Sequence, residues 1–271
     1  MLHEALHLAL LGAAFVGTIM FLLWLLHLRL VNASIVDPGW AFGLASLGIL
    51  YAALGSGFGP RKWLIAGMSS VWGLRLAWHL VRRMWGQPEE GRYAQLRREW
   101  SPHIELKFLI FFEAQALLDL ILSLCFLLPV LNSQPRVHRI EWVGVALWAV
   151  AIFGEVLADA QLAAFKRDPD SSGKVCQRGL WNYSRHPNYF FEWLVWIAWA
   201  VFALGSTWGV LALVCPALML YFILRITGVP ATEEQALRSK GDAYRSYQAT
   251  TSAFFPWVKK VPPLSTSAKT N

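Results

Sequence analysis

Long apolar stretches recur along this 271-residue chain. Each is close to the roughly 20 residues that a helix needs to cross the hydrocarbon core of a bilayer. Hydrophobic residues make up 56% of the chain and charged residues only 15%, which is too little charge to cover the surface of a soluble domain this long. The chain is therefore predicted to be all-α, a polytopic membrane bundle of about seven transmembrane helices. The predicted spans are residues 5–30, 39–58, 62–81, 106–131, 140–158, 189–205 and 208–226.

The basic residues predict the orientation of these spans. Most of the 24 Lys and Arg residues lie between spans three and four, between spans five and six, or in the carboxyl-terminal tail. Only Arg61, Lys62, Arg136 and Arg139 fall on the opposite side. Because basic loops stay in the cytosol, the amino terminus is predicted to lie outside and the carboxyl tail inside. The net charge of +7 is then explained by loop asymmetry, and no nucleic-acid partner is expected.

The most polar stretch next to an apolar run is residues 179–192, directly before span six. Pro187 suits the first turn of a helix, where its missing N–H has no intrahelical partner. The free N–H groups that follow, together with Arg185, His186 and Asn188, predict a site for an anion. The alternative is that Arg185 and His186 only anchor a membrane helix at the lipid head groups.

Ionisable and amide side chains also occur within or at the ends of the predicted spans, where they are costly. For any single residue, a hydrogen bond between helices is an ordinary explanation. Together they predict a cavity that opens to the cytosol. The residues concerned are Asp37, Arg75, His79, Glu113, Gln115, Asp119, Glu155, Asp159, Gln161 and Glu192.

The tail after span seven carries more aromatic residues than a loose segment needs. Tyr244 and Tyr247 are three positions apart and so share one side of a short helix. The stretch 250–257 then returns to the membrane surface. We expect the tail to fold back as a lid over the cavity; the alternative is an interfacial helix without a ligand.

Cysteine and histidine spacing predicts neither a disulfide framework nor a metal site. The three cysteines, Cys125, Cys176 and Cys215, have no paired spacing. His3 and His7 are four apart, but the other histidines are scattered. No metal is therefore expected.

Several motifs in the carboxyl-terminal half resemble the steroid 5-alpha-reductase superfamily, and most closely its bacterial branch. They are Asp159-x-Gln161-x-x-x-x-Lys166, the run from Gly179 through Arg185-His186-Pro187-Asn188-Tyr189 to Glu192, Pro230-x-x-Glu233, Tyr244-x-x-Tyr247 and Phe254-Phe255-Pro256. The match is strongest over residues 140–258. Before residue 105 it rests on the helix pattern, Asp37-Pro38-Gly39-Trp40 and Trp72-Gly73-Leu74-Arg75-Leu76. The resemblance implies an integral protein of the bacterial inner membrane that contacts membrane lipids.

The resemblance also implies that NADPH is held on the cytosolic side of the carboxyl-terminal half. Residues 1–131 would form the substrate-pocket half, 132–262 the cofactor-binding half with its lid, and 263–271 a disordered tail. Phosphates would suit Arg185 and Lys166. The residues implied to bind the cofactor are Asp159, Lys166, Trp181, Tyr183, Arg185, His186, Asn188, Tyr189, Glu192, Glu233, Tyr244 and Tyr247.

The implied reaction is hydride transfer from the nicotinamide to an electron-poor carbon–carbon double bond of a lipophilic, steroid-like substrate. A side chain must then polarise the carbonyl oxygen and deliver a proton. In the steroid enzymes a carboxylate and a tyrosine of the amino-terminal half do this, and that pattern is not evident here. By position, Asp37 and His79 are the nearest catalytic candidates, although His79 fits an interhelical hydrogen bond equally well. The predicted pocket residues are Trp40, Glu113 and Gln115.

Two other functions stay open at this point. The isoprenylcysteine carboxyl methyltransferases share the Arg-His-Pro-x-Tyr motif, the paired glutamates and the tail tyrosines, and bind S-adenosylmethionine. Asp159, Lys166 and Asn188 favour the reductase. A non-enzymatic lipid-binding protein is the third possibility, and it leaves the predicted polar cavity unexplained.

Overall fold

The computed structural model describes residues 1–260. Within them the protein is all-helical, with 78% helix and no strand. The predicted disordered tail, 263–271, lies outside the described residues.

The long helices coincide with the apolar runs, and several extend beyond them. The amino-terminal helices are α1 (Leu2–Leu30), α2 (Val36–Leu54), α3 (Gly59–Met84), α4 (Gly91–Glu99), α5 (Ile104–Leu122) and α6 (Leu124–Val130). The later helices are α7 (Arg139–Arg167), α8 (Pro187–Ala203), α9 (Val214–Tyr221), α10 (Val229–Lys240) and α11 (Asp242–Thr250). Short 3-10 turns cover Ala33–Ile35, Pro169–Ser171, Gly179–Asn182 and Gly209–Leu213, and a π-helical turn covers Phe222–Ile226.

Several of these helices are long and apolar enough to cross a membrane, so the protein is a multi-pass membrane protein. In the described residues there are five such stretches, Leu2–Leu30, Ala33–Leu54, Gly59–Met84, Arg139–Arg167 and Gly209–Lys240. A sixth arises if α5 and α6, which meet at a 41° bend, form one span. Helix α8 covers the predicted sixth span but has only 17 residues, fewer than the roughly 20 of a straight crossing. Seven spans and the orientation stay predictions.

The described chain divides into two compact units. One comprises residues 1–145 and 199–215, and the other comprises 146–198 and 216–260. The predicted division into a substrate half that ends at residue 131 and a cofactor half that begins at residue 132 is based on function. It stays a prediction.

In the first unit, α2 packs against α1, α3 and α5. A glycine of α3 permits a close approach to the α2 backbone, because a Cβ on Gly73 would lie 2.7 Å from the backbone oxygen of Ala41. The aromatic core beside this contact is edge-to-face: Trp72 packs on Trp199 at 5.1 Å, and Trp199 packs on Phe126 at 5.0 Å between ring centroids. Small residues on both helices therefore allow α3 to lie close to α2.

The bend between α5 and α6 lies at Ser123. Its hydroxyl donates to the carbonyl oxygen of Leu120 at 2.7 Å, a back-bond of the kind that bends helices. Phe126 and Leu127 then donate to the carbonyl oxygen of Ser123, which starts the new helix. The bend therefore redirects the backbone carbonyls at the end of α5.

Candidate functional site

The segment before α8, in the second unit, is fixed to α7 by side-chain hydrogen bonds. Gln161 Oε1 accepts the Leu180 N–H at 2.9 Å, and Trp181 Nε1 donates to the Ala158 carbonyl oxygen at 2.9 Å. Gly179 has φ of +56° and lies against Gln161, so a side chain there would be strained and crowded. Trp181 packs with Phe165 in a buried cluster. Contacts within the protein therefore fix the conformation of this segment without a ligand.

Arg185 ties this segment to the carboxyl-terminal helices. Its Nε donates to Glu233 Oε1 at 2.6 Å, and one terminal nitrogen donates to the carbonyl oxygens of Gln248 and Thr251 at 3.1 and 2.6 Å. The side chain is only 11% exposed. Glu233 therefore compensates the positive charge of Arg185 within the protein, and a phosphate would have to compete with these acceptors.

His186 lies on the same carboxylate. Its Nε2 is 3.2 Å from Glu233 Oε1, and its ring stacks on Tyr189 with centroids 5.4 Å apart and an angle of 8°. Because an ionised carboxylate only accepts hydrogen bonds, Nε2 carries the proton. Gln248 Nε2 donates to the other carboxylate oxygen of Glu233 at 2.9 Å. Glu233 is thus the centre of a partly buried polar cluster that joins α8, α10 and α11.

A second polar group of the second unit joins α7 to α8. Asn188 Nδ2 donates to Asp159 Oδ1 at 3.3 Å, and both side chains are half-buried. One turn further on, Glu192 Oε1 accepts from Trp196 Nε1 at 3.0 Å. Tyr189 is half-buried as well, and its hydroxyl is 3.0 Å from that of Thr232. These four predicted cofactor residues combine polarity with partial exposure.

The two tail tyrosines, Tyr244 and Tyr247, lie on α11 and are buried. The hydroxyl of Tyr247 donates to the backbone oxygens of Trp181 and Ser184, the latter at 3.1 Å. Burial, with the nearby charge of Glu233, raises the pKa of Tyr244 to about 12, and burial also raises the pKa of Tyr247. Both phenols are therefore neutral at physiological pH. The hydrogen bonds of Tyr247 hold the segment before α8 against α11.

The tail does fold back onto that segment, as the sequence predicts. Arg185 N–H donates to the carbonyl oxygen of Ser252 at 2.9 Å, Ser184 Oγ donates to that of Phe254 at 2.8 Å, and Trp257 N–H donates to that of Tyr183 at 2.9 Å. Tyr183 and Lys166 are both exposed. The predicted cavity beneath this tail stays a prediction.

A cavity of about 300 Å³ is present in the first unit. It lies where α2 begins and α3 ends, beneath the connection from α3 to α4. Its walls combine apolar side chains with three carboxylates and one guanidinium. The lining residues are Ser34, Asp37, Pro38, Leu80, Arg83, Met84, Gln87, Pro88, Glu89 and Glu90.

Asp37 is the predicted catalytic residue that reaches this cavity, and two side chains from α4 hold it. Tyr93 donates its O–H to Asp37 Oδ1 at 2.7 Å, and Arg92 donates to Asp37 Oδ2. Tyr93 is 2% exposed, and burial together with the charge of Asp37 raises its pKa well above the ordinary value. Arg92 also lies over the Tyr93 ring at 4.6 Å. The three side chains form one charged and hydrogen-bonded group.

The connection between α3 and α4 is held to the start of α2 by Glu89 and Glu90. Glu89 Oε1 accepts the Ala33 N–H at 2.7 Å, and the Glu90 N–H donates to Ser34 Oγ at 2.9 Å. Arg97 binds both oxygens of Glu89 at 3.0 and 2.8 Å. Burial favours the protonated form of Glu89, but the hydrogen bonds and charge of Arg97 outweigh it and lower the pKa of Glu89.

The other predicted substrate-side residues do not meet at this cavity in the described part of the chain. His79 is exposed on α3, and Trp40 packs edge-to-face on Trp72 at 5.8 Å. Glu113 and Gln115 are half-buried on α5, with Glu113 close to Gly17 of α1. Their catalytic and pocket roles stay predictions.

Tyr93 and Arg92 are the residues that the sequence analysis missed. They lie on a nine-residue helix within a segment that reads as a basic cytosolic loop, 56 and 55 positions from Asp37. The only local signal is a buried-type aromatic among charged residues. Among residues 1–260, no group of three His, Cys, Asp or Glu side chains is arranged to hold a metal ion.

Comparison with known proteins gives a family for the chain. Residues 23–251 match a family of proteins of unknown function, DUF1295. The chain belongs to this family. The family lies within the steroid 5-alpha-reductase-like group. A similar curated protein is an uncharacterised protein of Schizosaccharomyces pombe, 25% identical over 267 residues that cover 86% of this chain and 75% of the relative. No solved structure matches the chain.

Proposed function

We propose that the protein is an NADPH-dependent membrane reductase. It would transfer hydride to the activated carbon–carbon double bond of a lipophilic enone, for instance a steroid-like one. The membership in a steroid 5-alpha-reductase-like family supports this reading of the motifs. The helical spans support a substrate that arrives from the lipid phase.

The observation that carries the proposal is the contact between Asn188 and Asp159. These are the residue types by which the reductase pattern departs from the methyltransferase pattern, and they meet at 3.3 Å although they lie 29 positions apart. An amide and a carboxylate that are half-buried together suit the hydroxyls of a ribose or a carboxamide. The neighbouring Tyr189 and Glu192 extend the same polar group along α8.

The residues present also include cations for the phosphates of NADPH. Lys166 is exposed at the end of α7, and it lies close enough to Lys240 of α10 for their charges to interact. Two ammonium groups that repel each other gain from an anion placed between them. Lys166, rather than Arg185, is therefore the phosphate-binding residue in this proposal. When bound, the reduced nicotinamide would supply the hydride.

On the substrate side, we assign Asp37 and Tyr93 as the pair that interacts with the reacting carbonyl group of the substrate. Negative charge grows on that oxygen as hydride reaches the double bond, so hydrogen-bond donors must face it. The Tyr93 O–H donates to Asp37 Oδ1, which orients the side chain. In this assignment that O–H would turn to the substrate oxygen and act as the proton donor. The Nε–H of Arg92 is a further donor, since it is buried without an acceptor among the described residues. Tyr93 thus takes the role for which the sequence offered His79.

A second function is favoured by one specific contact. Because Glu233 neutralises Arg185, the segment before α8 carries less free positive charge than its sequence implies. S-adenosylmethionine has no phosphate and carries a sulfonium, so this arrangement suits a methyltransferase of the isoprenylcysteine carboxyl type.

Ligand binding to the purified protein in detergent tests the proposal. NADPH is expected to bind saturably and to weaken with added salt. Lys166→Gln is expected to weaken NADPH about 10-fold, the effect of losing one charge-assisted hydrogen bond. Arg167→Gln, the exposed neighbour, is the matched control and should leave binding unchanged. Saturable S-adenosylmethionine binding with none for NADPH would transfer the assignment to the methyltransferase, and binding of neither would favour a lipid-binding protein.

A further inference from the structure

Two of the three cysteines meet in the interior of the first unit. Cys125 on α6 and Cys215 on α9 are both fully buried, and both are free thiols. Cys215 is a close neighbour of the Cys125 thiol. Their sequence separation gave no sign of this contact.

The two thiols are placed reciprocally. Cys215 Sγ donates to the carbonyl oxygen of Leu122 at 3.4 Å, and Leu122 lies three residues before Cys125. Cys125 Sγ donates to the carbonyl oxygen of Ala212 at 3.7 Å, and Ala212 lies three residues before Cys215. Each side chain therefore reaches the backbone one turn ahead of the other cysteine. This places the two sulfur atoms side by side between α6 and the start of α9.

The pair also lies next to a break in a helix. Ser123 makes the 41° bend between α5 and α6, and the carbonyl of Leu122, just before it, accepts the Cys215 thiol. A covalent bond at this point would fix the bend against α9. A disulfide would close the long loop of chain between Cys125 and Cys215, and a disulfide that closes a long loop stabilises the folded state more than one that closes a short loop.

We propose that Cys125 and Cys215 are a redox pair that forms a disulfide between α6 and α9. The proposal is independent of the proposed function. The oxidant is a hydroperoxide, of which hydrogen peroxide is small and uncharged enough to enter a buried site. The sequence alone indicates no disulfide, because the contact depends on the packing of two helices that are distant in sequence.

The chemistry balances with one peroxide for each disulfide. The sulfur of one cysteine, having lost its proton, attacks a peroxide oxygen; the O–O bond breaks, the sulfur becomes a sulfenic acid, and hydroxide leaves and takes up the proton as water. The second cysteine sulfur then attacks the sulfenic sulfur. The S–O bond breaks, the S–S bond forms, and a second water leaves with the remaining thiol proton. The two sulfurs lose two electrons, which reduce the peroxide.

The test is a thiol count on the full-length protein in lipid nanodiscs. The protein is treated with hydrogen peroxide, denatured in detergent, and labelled with a maleimide–polyethylene glycol that adds mass at each free thiol. Reduced protein should take up three labels, and oxidised protein should take up one, on Cys176. Intact mass should fall by two hydrogens, and dithiothreitol should reverse both changes. The unfolding temperature should be a few degrees higher in the oxidised form.

Two variants separate this pair from other thiol chemistry. Cys176→Ser should keep the full change, from two labels to none, whereas Cys125→Ser should lose it. A covalent dimer on a non-reducing gel would overturn the proposal, because it would show pairing between chains. Three labels retained after oxidation, or oxygen added to separate cysteines, would overturn it as well. In that case the two thiols act only as weak hydrogen-bond donors to the Leu122 and Ala212 carbonyls.

Discussion

Arg61 and Glu141 form an ion pair in which both side chains are fully buried. They lie 80 positions apart, at the start of α3 and of α7. Arg61 also donates to the backbone oxygens of Asn132 and Gln134 at 2.7 and 3.2 Å, and Glu141 accepts the N–H of His138. The pair therefore closes the connection between α6 and α7 onto α3 through charge-assisted hydrogen bonds.

Removal of one partner of this pair should destabilise the fold strongly. Arg61→Met leaves Glu141 buried and uncompensated, so we expect it to lower the free energy of unfolding by about 3–5 kcal/mol. Thermal or denaturant unfolding in detergent measures the change. The double variant Arg61→Met with Glu141→Leu should regain most of the loss, and Arg139→Met, an exposed arginine, is the control. A single variant as stable as the control would contradict the burial of this pair.

The Tyr93 hydroxyl is expected to matter for turnover and not for cofactor binding. Tyr93→Phe removes the proposed proton donor and keeps the ring, which packs on Phe111 of α5. The value of kcat should therefore fall about 100-fold, the typical effect of losing one donor to a developing oxyanion. NADPH consumption with a panel of lipophilic enones measures this. Tyr221→Phe, at an exposed tyrosine, is the matched control. If Tyr93→Phe keeps full turnover, Tyr93 only positions Asp37.

Glu89 should make part of the stability depend on pH. Arg97 lowers its pKa in the folded protein, so the stabilising effect is present above the ordinary pKa of about 4.3 and is lost as pH falls through the lowered folded-state value. Unfolding followed from pH 7 down to about pH 3 should show this loss. Glu89→Gln should be less stable at neutral pH and should lack this component. Glu99→Gln, at an exposed carboxylate, should keep it.

Asp119 is expected to reduce the stability of the first unit. It is fully buried on α5 against Gly43 of α2, and neither carboxyl oxygen has a hydrogen-bond partner among the described residues. Leucine has the same branching without the polar atoms, so Asp119→Leu should raise the free energy of unfolding by about 1–3 kcal/mol. Asp119→Asn, which keeps buried polar atoms, should give no such gain. A loss of stability in the leucine variant would mean that the carboxyl group has a partner.

The sequence was informative where the signal is local. Apolar runs predicted the long helices, because a membrane helix satisfies its own backbone within one segment. Pro187 marked the first residue of α8. The aromatic residues after Thr250 predicted a tail that folds back, and the tail contacts the segment before α8. Each of these inferences needed only neighbouring residues.

The sequence was uninformative where function and stability depend on distant partners. Arg185 reads as a free cation, but Glu233 and two tail carbonyls take up its donors. Arg61 reads as a loop charge, yet it is buried against Glu141. Nothing near Asp37 in sequence indicates that Tyr93 would meet it. Side-chain pairing across tens of positions depends on how the helices pack, and the local pattern of residues does not reveal it.

The most direct test of the proposed reaction follows the hydride itself. Membranes that contain the protein are incubated with NADPH deuterated at the nicotinamide C4, and their lipids are analysed by mass spectrometry. Membranes that lack the protein, and the Lys166→Gln variant, are the controls. If the protein is the proposed reductase, a lipid gains one deuterium at carbon and one proton, and the label falls in the variant. Absence of deuterium transfer, together with transfer of a labelled methyl group from S-adenosylmethionine, would show that the protein is not this reductase.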